Sequence, residues 1–182
     1  MTRPAENPGI EVRRGGPEIQ IEEANLEELV RVYAQSVYEP IEVEEKIDGL
    51  KAYFRNELLK NPRTVVLFDE DDPSLIIGVG SWNVVAHEPK ILIELTKLTV
   101  LSNRQGMGLS KKLMDMLEAS IRDEWQGEYG QLMITRNPRV IVPALNSGYA
   151  NIGGSWGETL RKRRVNPRLG SIHSRNMAIR HF

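Results

Sequence analysis

The 182-residue sequence contains no cysteine. That excludes a disulfide framework, a thiol nucleophile and a thiolate metal site on this chain. Histidine is scarce too. His87, His173 and His181 show no ligand spacing, so no metal is expected. No apolar run approaches the ~20 residues a membrane-spanning helix needs. Residues 1–17, MTRPAENPGIEVRRGGP, lack the apolar stretch of a signal peptide. A soluble, cytoplasmic protein without a membrane partner is the expectation. Neither sign of charge dominates, with 24 Lys and Arg against 25 Asp and Glu. The near balance argues against nucleic acid as the main partner. No internal repeat, low-complexity block or interdomain linker is visible.

What remains is ordinary for a globular chain: 40% apolar and 27% charged residues. The length suits one domain with a sizeable core. Residues 1–17 read as a polar, Pro- and Gly-rich tail, and 18–182 as a single domain. The organising stretch runs from Ile91 to Ile121. ILIELTKLTV is a β-strand rich in β-branched and apolar residues. Leu109, Leu113, Met116, Leu117 and Ile121 then fall on one face of a helix. Between them lies a turn ending in Gly106-Met107-Gly108. Strand, glycine turn and helix aim free backbone N–H groups at an anion. Such a pair of glycines also serves turns that only need to be tight. It is not a P-loop, because no Gly-Lys-Ser/Thr follows, and Lys111 stands where a dinucleotide fingerprint has its third glycine.

The strand carries a second signal. Ile91, Ile93 and Leu95 share one phase of the alternation; Leu98 and Val100 share the other. A slip of one residue near Thr96-Lys97 is what a β-bulge produces. Burial of both faces without a bulge is the alternative.

The remaining elements follow from periodicity and punctuation. Glu18–Glu23 alternates as a first strand. Asn25 and Glu28 read as a capping box for a helix through Val37. Its stripe is Leu26, Leu29, Val30, Tyr33 and Val37. Pro40 precedes a second helix at Val43–Lys60, ended by Asn61-Pro62. Thr64–Asp69 and Leu75–Val85 are strands leading into Ile91–Val100. After the central helix come a strand at Gln131–Thr135, a helix at Pro138–Ser147 and a terminal strand pair, Glu158–Arg164 and Asn176–His181.

This order and the central unit resemble the Gcn5-related N-acetyltransferase (GNAT) superfamily, over nearly the whole chain. The family's pyrophosphate-binding pattern, Gln/Arg-x-x-Gly-x-Gly/Ala, is matched by Asn103, Gly106 and Gly108; Asn103 departs from it. A second match, Asn137 with Gly148-Tyr149, has the family's spacing for Asn and Gly-Phe. The resemblance implies an α/β fold with a mixed central sheet, splayed between the fourth and fifth strands, and about four helices. It implies acetyl-CoA (coenzyme A) as co-substrate, no metal, and acyl transfer to the primary amine of a small molecule or protein.

Site residues follow by the same resemblance. The pyrophosphate would lie on the main chain of Gln105, Gly106, Met107, Gly108, Leu109 and Ser110, with Arg104 and Asn137 in the cofactor site. Leu98, Thr99 and Val100 would pair with the pantetheine, and the Val100 N–H or a neighbour would polarise the thioester carbonyl. Glu94, six residues before Val100 and flanked by Ile93 and Leu95, is the candidate general base. Apolar neighbours raise a carboxylate's pKa toward the range that suits this task. Its alternative is a glutamate paired with Lys97 or a neighbouring strand. Ala144 occupies the place of the family's tyrosine general acid, which leaves Tyr149 as the candidate. Arg104, Lys111 and Lys112 could meet phosphate charge or be ordinary solvated surface.

Charge is uneven along the chain. From Glu18 to Gly49 there are ten acids against Arg31 and Lys46; from Thr159 on there are seven Lys and Arg and no acid. Acidic helices on the acceptor side would attract a cationic amine. The basic end suggests a nucleic-acid reading, and Asn103 and Ala144 suggest a weak or inactive acyl-CoA-binding module. Homodimerisation is left open.

Overall fold

The structure, a computed structural model, describes residues 9–86, 91–125, 129–135, 150–151 and 176–181. They form two compact units, one within Met1–Ser81 and Lys97–Arg122, the other within Trp82–Thr96 and Asp123–Phe182.

The first unit opens with β1, Ile10–Arg14, paired antiparallel with β2, Thr64–Asp69. This strand lies in the expected tail, whereas Glu18–Glu23 forms no strand and enters a helix at its end. Ile10 and Val12 alternate as well as Ile19 and Ile21 do, but only the former stretch has a free strand edge to join; Gly15 and Gly16 then turn the chain away. β2 is buried at every position, so it reads as a continuous apolar run. It pairs antiparallel with β3, Ile76–Ala86, whose residues up to Ser81 belong to this unit.

Helix α1, Glu23–Val37, buries Leu26, Leu29, Val30 and Tyr33 as its periodicity demands. Its expected capping box does not form. The helix starts two residues earlier than Asn25, which is buried and bonds β3 instead. Asn25 Nδ2 donates to the Ile76 carbonyl at 2.9 Å, and the Ile76 N–H donates to Asn25 Oδ1 at 2.9 Å. The β2–β3 register shifts beside Ile76, between Leu67 and Phe68. The side chain thus satisfies backbone groups that the irregular ladder handles poorly.

Helix α2, Pro40–Tyr53, starts three residues before its expected position. Pro40 occupies its first turn, where the missing N–H costs nothing. A reciprocal capping box joins Glu39 and Glu42. A π turn, Phe54–Leu58, follows, and Phe54, Leu58 and Leu59 are all buried there. Ion pairs join α1 to α2 and to the π turn: Lys51 and Arg55 meet Glu23, and Arg31 meets Glu44 besides Glu27 of its own helix. The Lys51 ammonium, then the Arg55 guanidinium, hold the Glu23 carboxyl below the usual range. The group is exposed, so the pairing adds little to stability.

Helix α3, Leu109–Glu124, buries Leu109, Leu113, Leu117 and Ile121, each contributing about 1.5–3 kcal/mol. It packs closely on β3. A Cβ at Gly80 would stand 2.9 Å from a Leu117 methyl, 3.0 Å from a Leu98 methyl and 3.3 Å from a Leu113 methyl. Glycine is required there for approach, not for backbone conformation.

β4, Ile91–Val100, belongs to the second unit up to Thr96 and there runs parallel to β5, Tyr129–Thr135. Their ladder runs from Ile91↔Tyr129 to Leu95↔Met133. β7, Asn176–His181, lies antiparallel to β5, and β6, Ala150–Asn151, lies antiparallel to β7. The strand expected at Glu158–Arg164 and the helix expected at Pro138–Ser147 lie outside the described residues.

Two substitutions test this packing. Asn25→Ala leaves two buried backbone groups of Ile76 without their partner and should destabilise by roughly 2–4 kcal/mol. The denaturant midpoint should fall at unchanged slope. Gly80→Val overpacks the β3–α3 contact and should cost ~1–3 kcal/mol in the same measurement.

Candidate functional site

The strand–turn–helix motif keeps its expected form. β4 ends at Val100, a short 3-10 turn covers Ser102–Arg104, and α3 begins at Leu109. Gly106 and Gly108 have φ of 83° and 76°, a region open to glycine and strained for other residues. A Cβ at either would meet no heavy atom within 4 Å, so the turn faces open space. The Lys112 N–H donates to the Gly108 carbonyl at 3.1 Å, closing the first helical turn. Among the described residues, no hydrogen bond from outside the helix takes up the amides of Gly106, Met107, Gly108, Leu109 or Ser110. First-turn amides lack acceptors within a helix, and the helix dipole adds positive potential. The turn therefore presents converging donors suited to a diphosphate. Gln105 folds inward, its Nε2 donating to the Val100 carbonyl at 3.2 Å.

The strand leading into this turn has one outlying residue. Lys97 has φ 58°, and no other non-glycine among the described residues has a positive φ. It stands where the apolar pattern of the sequence changes phase, next to Thr96. Before it, Ile93 and Leu95 are buried and Glu94 is half-buried. After it, Thr99 and Val100 are buried, and the Leu101 N–H donates to the Ile77 carbonyl of β3 at 3.0 Å. The Leu101 bond ties the end of the strand to β3, directly before the glycine turn.

The basic side chains behave differently from one another. Arg104 forms an ion pair with Asp69, a nearly buried carboxylate at the end of β2. Lys111 pairs with Asp115 one turn along, at 2.6 Å, on exposed helix surface. Lys112 donates to the Ile10 carbonyl at 3.4 Å. Arg104 is thus a strut between the turn and β2, whereas Lys111 is solvated surface. Asp69 carried no functional signal in the sequence; it was expected only as the end of a strand.

Lys97 was legible only as the place where the pattern slips. Its Nζ donates to the Tyr33 hydroxyl at 2.8 Å. The ammonium also lies 4.9 Å from the centre of the Tyr33 ring and 5.5 Å from that of Tyr53. Phe54 backs Tyr33, with ring centres 5.5 Å apart. Burial pushes the Tyr53 phenol above its usual pKa, with Lys97 opposing and Glu57 and Tyr33 adding to the rise. Sequence periodicity assigned Tyr33 to the core stripe, which it does occupy, and gave no sign of its hydroxyl contact. The alternative pairing of Glu94 with Lys97 is replaced by this aromatic contact. Glu94 stands opposite Leu132 in the β4–β5 ladder. Asn137 and Tyr149 lie outside the described residues, as does most of the basic C-terminal stretch.

Known proteins share this architecture. N-acetylglutamate synthase from Neisseria gonorrhoeae, solved with coenzyme A and N-acetyl-glutamate, matches with TM-score 0.57 and 14% identity. The match covers 97% of this chain and 36% of that one, so this chain spans about a third of that enzyme. PaiA N-acetyltransferase from Thermoplasma acidophilum, in complex with coenzyme A, matches with TM-score 0.60 and 14% identity over 96% of this chain and 99% of that one. PH1933 from Pyrococcus horikoshii matches with TM-score 0.62 and 17% identity, over 96% and 99% of the two chains. At these identities the likeness concerns the fold. A search of the curated proteins gives no match. The sequence profile of the Acetyltransferase (GNAT) family matches residues 25–139, from α1 past the end of β5. That span contains the strand–turn–helix unit with both positive-φ glycines, and the chain belongs to the GNAT acetyltransferase family.

Proposed function

We propose that the protein is an N-acetyltransferase that moves an acetyl group from acetyl-CoA directly to a primary amine. The observation that carries this reading is the open turn of Gly106 and Gly108 at the head of α3, with its outward main-chain amides. Donors held rigidly at a helix start bind a diphosphate without reorganising. The CoA complexes of the neighbours named above support the same ligand. In this reading Gln105, Gly106, Met107, Gly108, Leu109 and Ser110 hold the pyrophosphate, and the pantetheine pairs with Leu98 and Val100. Arg104 contributes by holding the turn against Asp69.

The reaction needs a neutral amine nitrogen to attack the thioester carbonyl. A C–N bond forms, the C–S bond breaks, the amine loses a proton and the thiolate gains one. The Val100 N–H, at the end of β4, is the proposed donor to the developing oxyanion. Glu94, half-buried between two buried apolar neighbours on the strand, is the proposed acceptor of the amine proton, directly or through water. Tyr149 remains the proposed donor to the thiolate.

Two variants separate binding from chemistry. Gly108→Ala forces a Cβ onto a positive-φ residue, at roughly 1–2 kcal/mol of backbone strain. It should weaken acetyl-CoA binding about tenfold by calorimetry; unchanged affinity would remove the cradle from the cofactor site. Glu94→Gln should lower kcat by ~10²–10⁴ while acetyl-CoA affinity holds. A normal kcat in that variant would show that another group takes the proton.

A further inference from the structure

Lys97 is held in a conformation that glycine would adopt freely and that costs another residue roughly 1–2 kcal/mol. Strain of this kind persists where the surrounding structure fixes the residue, and it gathers at functional sites. The surroundings here are the Tyr33 hydroxyl and the faces of Tyr33 and Tyr53. These contacts orient the ammonium without neutralising it. Among the described residues, no carboxylate lies within ion-pair distance of Lys97 Nζ. Four of the ten acids expected to draw in a cationic acceptor are engaged with other cations. Glu23 and Glu27 meet Lys51, Glu44 meets Arg31, and Glu45 meets Lys46. Glu57, whose charge reaches Tyr53, makes no ion pair with Lys97. The side chain is half-buried, so it is neither solvated like Lys111 nor sealed in the core. Its position on β4 lies between Glu94 and the Leu98–Val100 segment.

We propose that Lys97, steadied by Tyr33 and Tyr53, is the anchor for a carboxylate on the acceptor, so that the amine acylated belongs to a small amino acid. This inference rests on the acyl-transfer reading and specifies its substrate class. A partly desolvated ammonium with an unused N–H favours a carboxylate over a neutral amide or a second cation, because charge-assisted hydrogen bonds are the stronger ones. The strain then has a reason: the left-handed residue turns the lysine toward α1 and α2 at the point where the strand pattern shifts.

The test measures free-thiol release from acetyl-CoA by the full chain with matched acceptors: a set of L-amino acids, their amides and their decarboxylated amines. The carboxylate-bearing member of the best set should show kcat/KM roughly 10- to 100-fold above its amide. Lys97→Met should abolish that preference through KM, with acetyl-CoA affinity unchanged, and Lys97→Arg should restore much of it. Lys97→Gly, which the backbone conformation tolerates, should lose the preference like Lys97→Met while remaining folded. Equal use of amide and acid by the natural chain, or a preference that survives in Lys97→Gly, overturns the anchor and leaves acyl transfer standing. Absence of thiol release with every amine overturns both.

Discussion

A single lysine at positive φ, Lys97, stands in β4 just past the end of its ladder with β5. That ladder ends at Leu95, and the Leu101 N–H, one residue beyond the strand, donates to the Ile77 carbonyl of β3. One residue on, Leu98 stands beside Gly80, where the methyls of Leu113 and Leu117 also converge. The packing of α3 on β3 and β4 passes through this contact, and the glycine turn sits at the head of α3. The strain at Lys97 is offset by contacts that cannot all survive its removal, including the hydroxyl of Tyr33 at 2.8 Å.

Most elements were legible because their burial is periodic. Thr64–Asp69 and Ile91–Val100 have the expected ends, since apolar β-branched runs bounded by turn residues leave few alternatives. The first strand was not legible. EIQIE and IEVRR carry the same alternation, and only a free edge on β2 decides between them. Asn25 shows a related limit. Its spacing to Glu28 fits a local cap, yet a partner fifty-one residues away, Ile76, claims both its polar atoms. Tertiary demand for a buried polar match outweighs a local bond worth about 1 kcal/mol.

The candidate site divides in the same way. Gly106 and Gly108 were legible because their role is conformational, and positive φ writes glycine into the sequence. The change of apolar phase between Leu95 and Leu98 brackets the positive-φ residue, Lys97. The charge count is only part of the picture. Counting acids in α1 and α2 suggested a negative surface, but Lys51, Arg55 and Arg31 lie within reach of Glu23, Glu27 and Glu44. Sequence counts charges one by one, whereas potential depends on which ones pair. Lys97 was invisible as a feature for the converse reason: one lysine in a strand looks solvated until two tyrosines from separate helical turns are brought to it.

These contrasts suggest how one fold accommodates many acceptors. The cradle at the head of α3 works through main-chain amides. It asks of the sequence only two small residues at positive φ and a helix that starts on time. Side chains around it do other work: Arg104 pairs with Asp69 beside the turn. The α1–α2 side offers mostly side chains, because helices expose few free backbone groups. Lys97 lies three residues before Val100, and its side chain reaches Tyr33 of α1 and Tyr53 of α2. A change at this one position therefore alters both the geometry of the strand and the charge offered to an acceptor, and the two effects separate only when the side chain is removed while the backbone conformation is kept, as glycine permits.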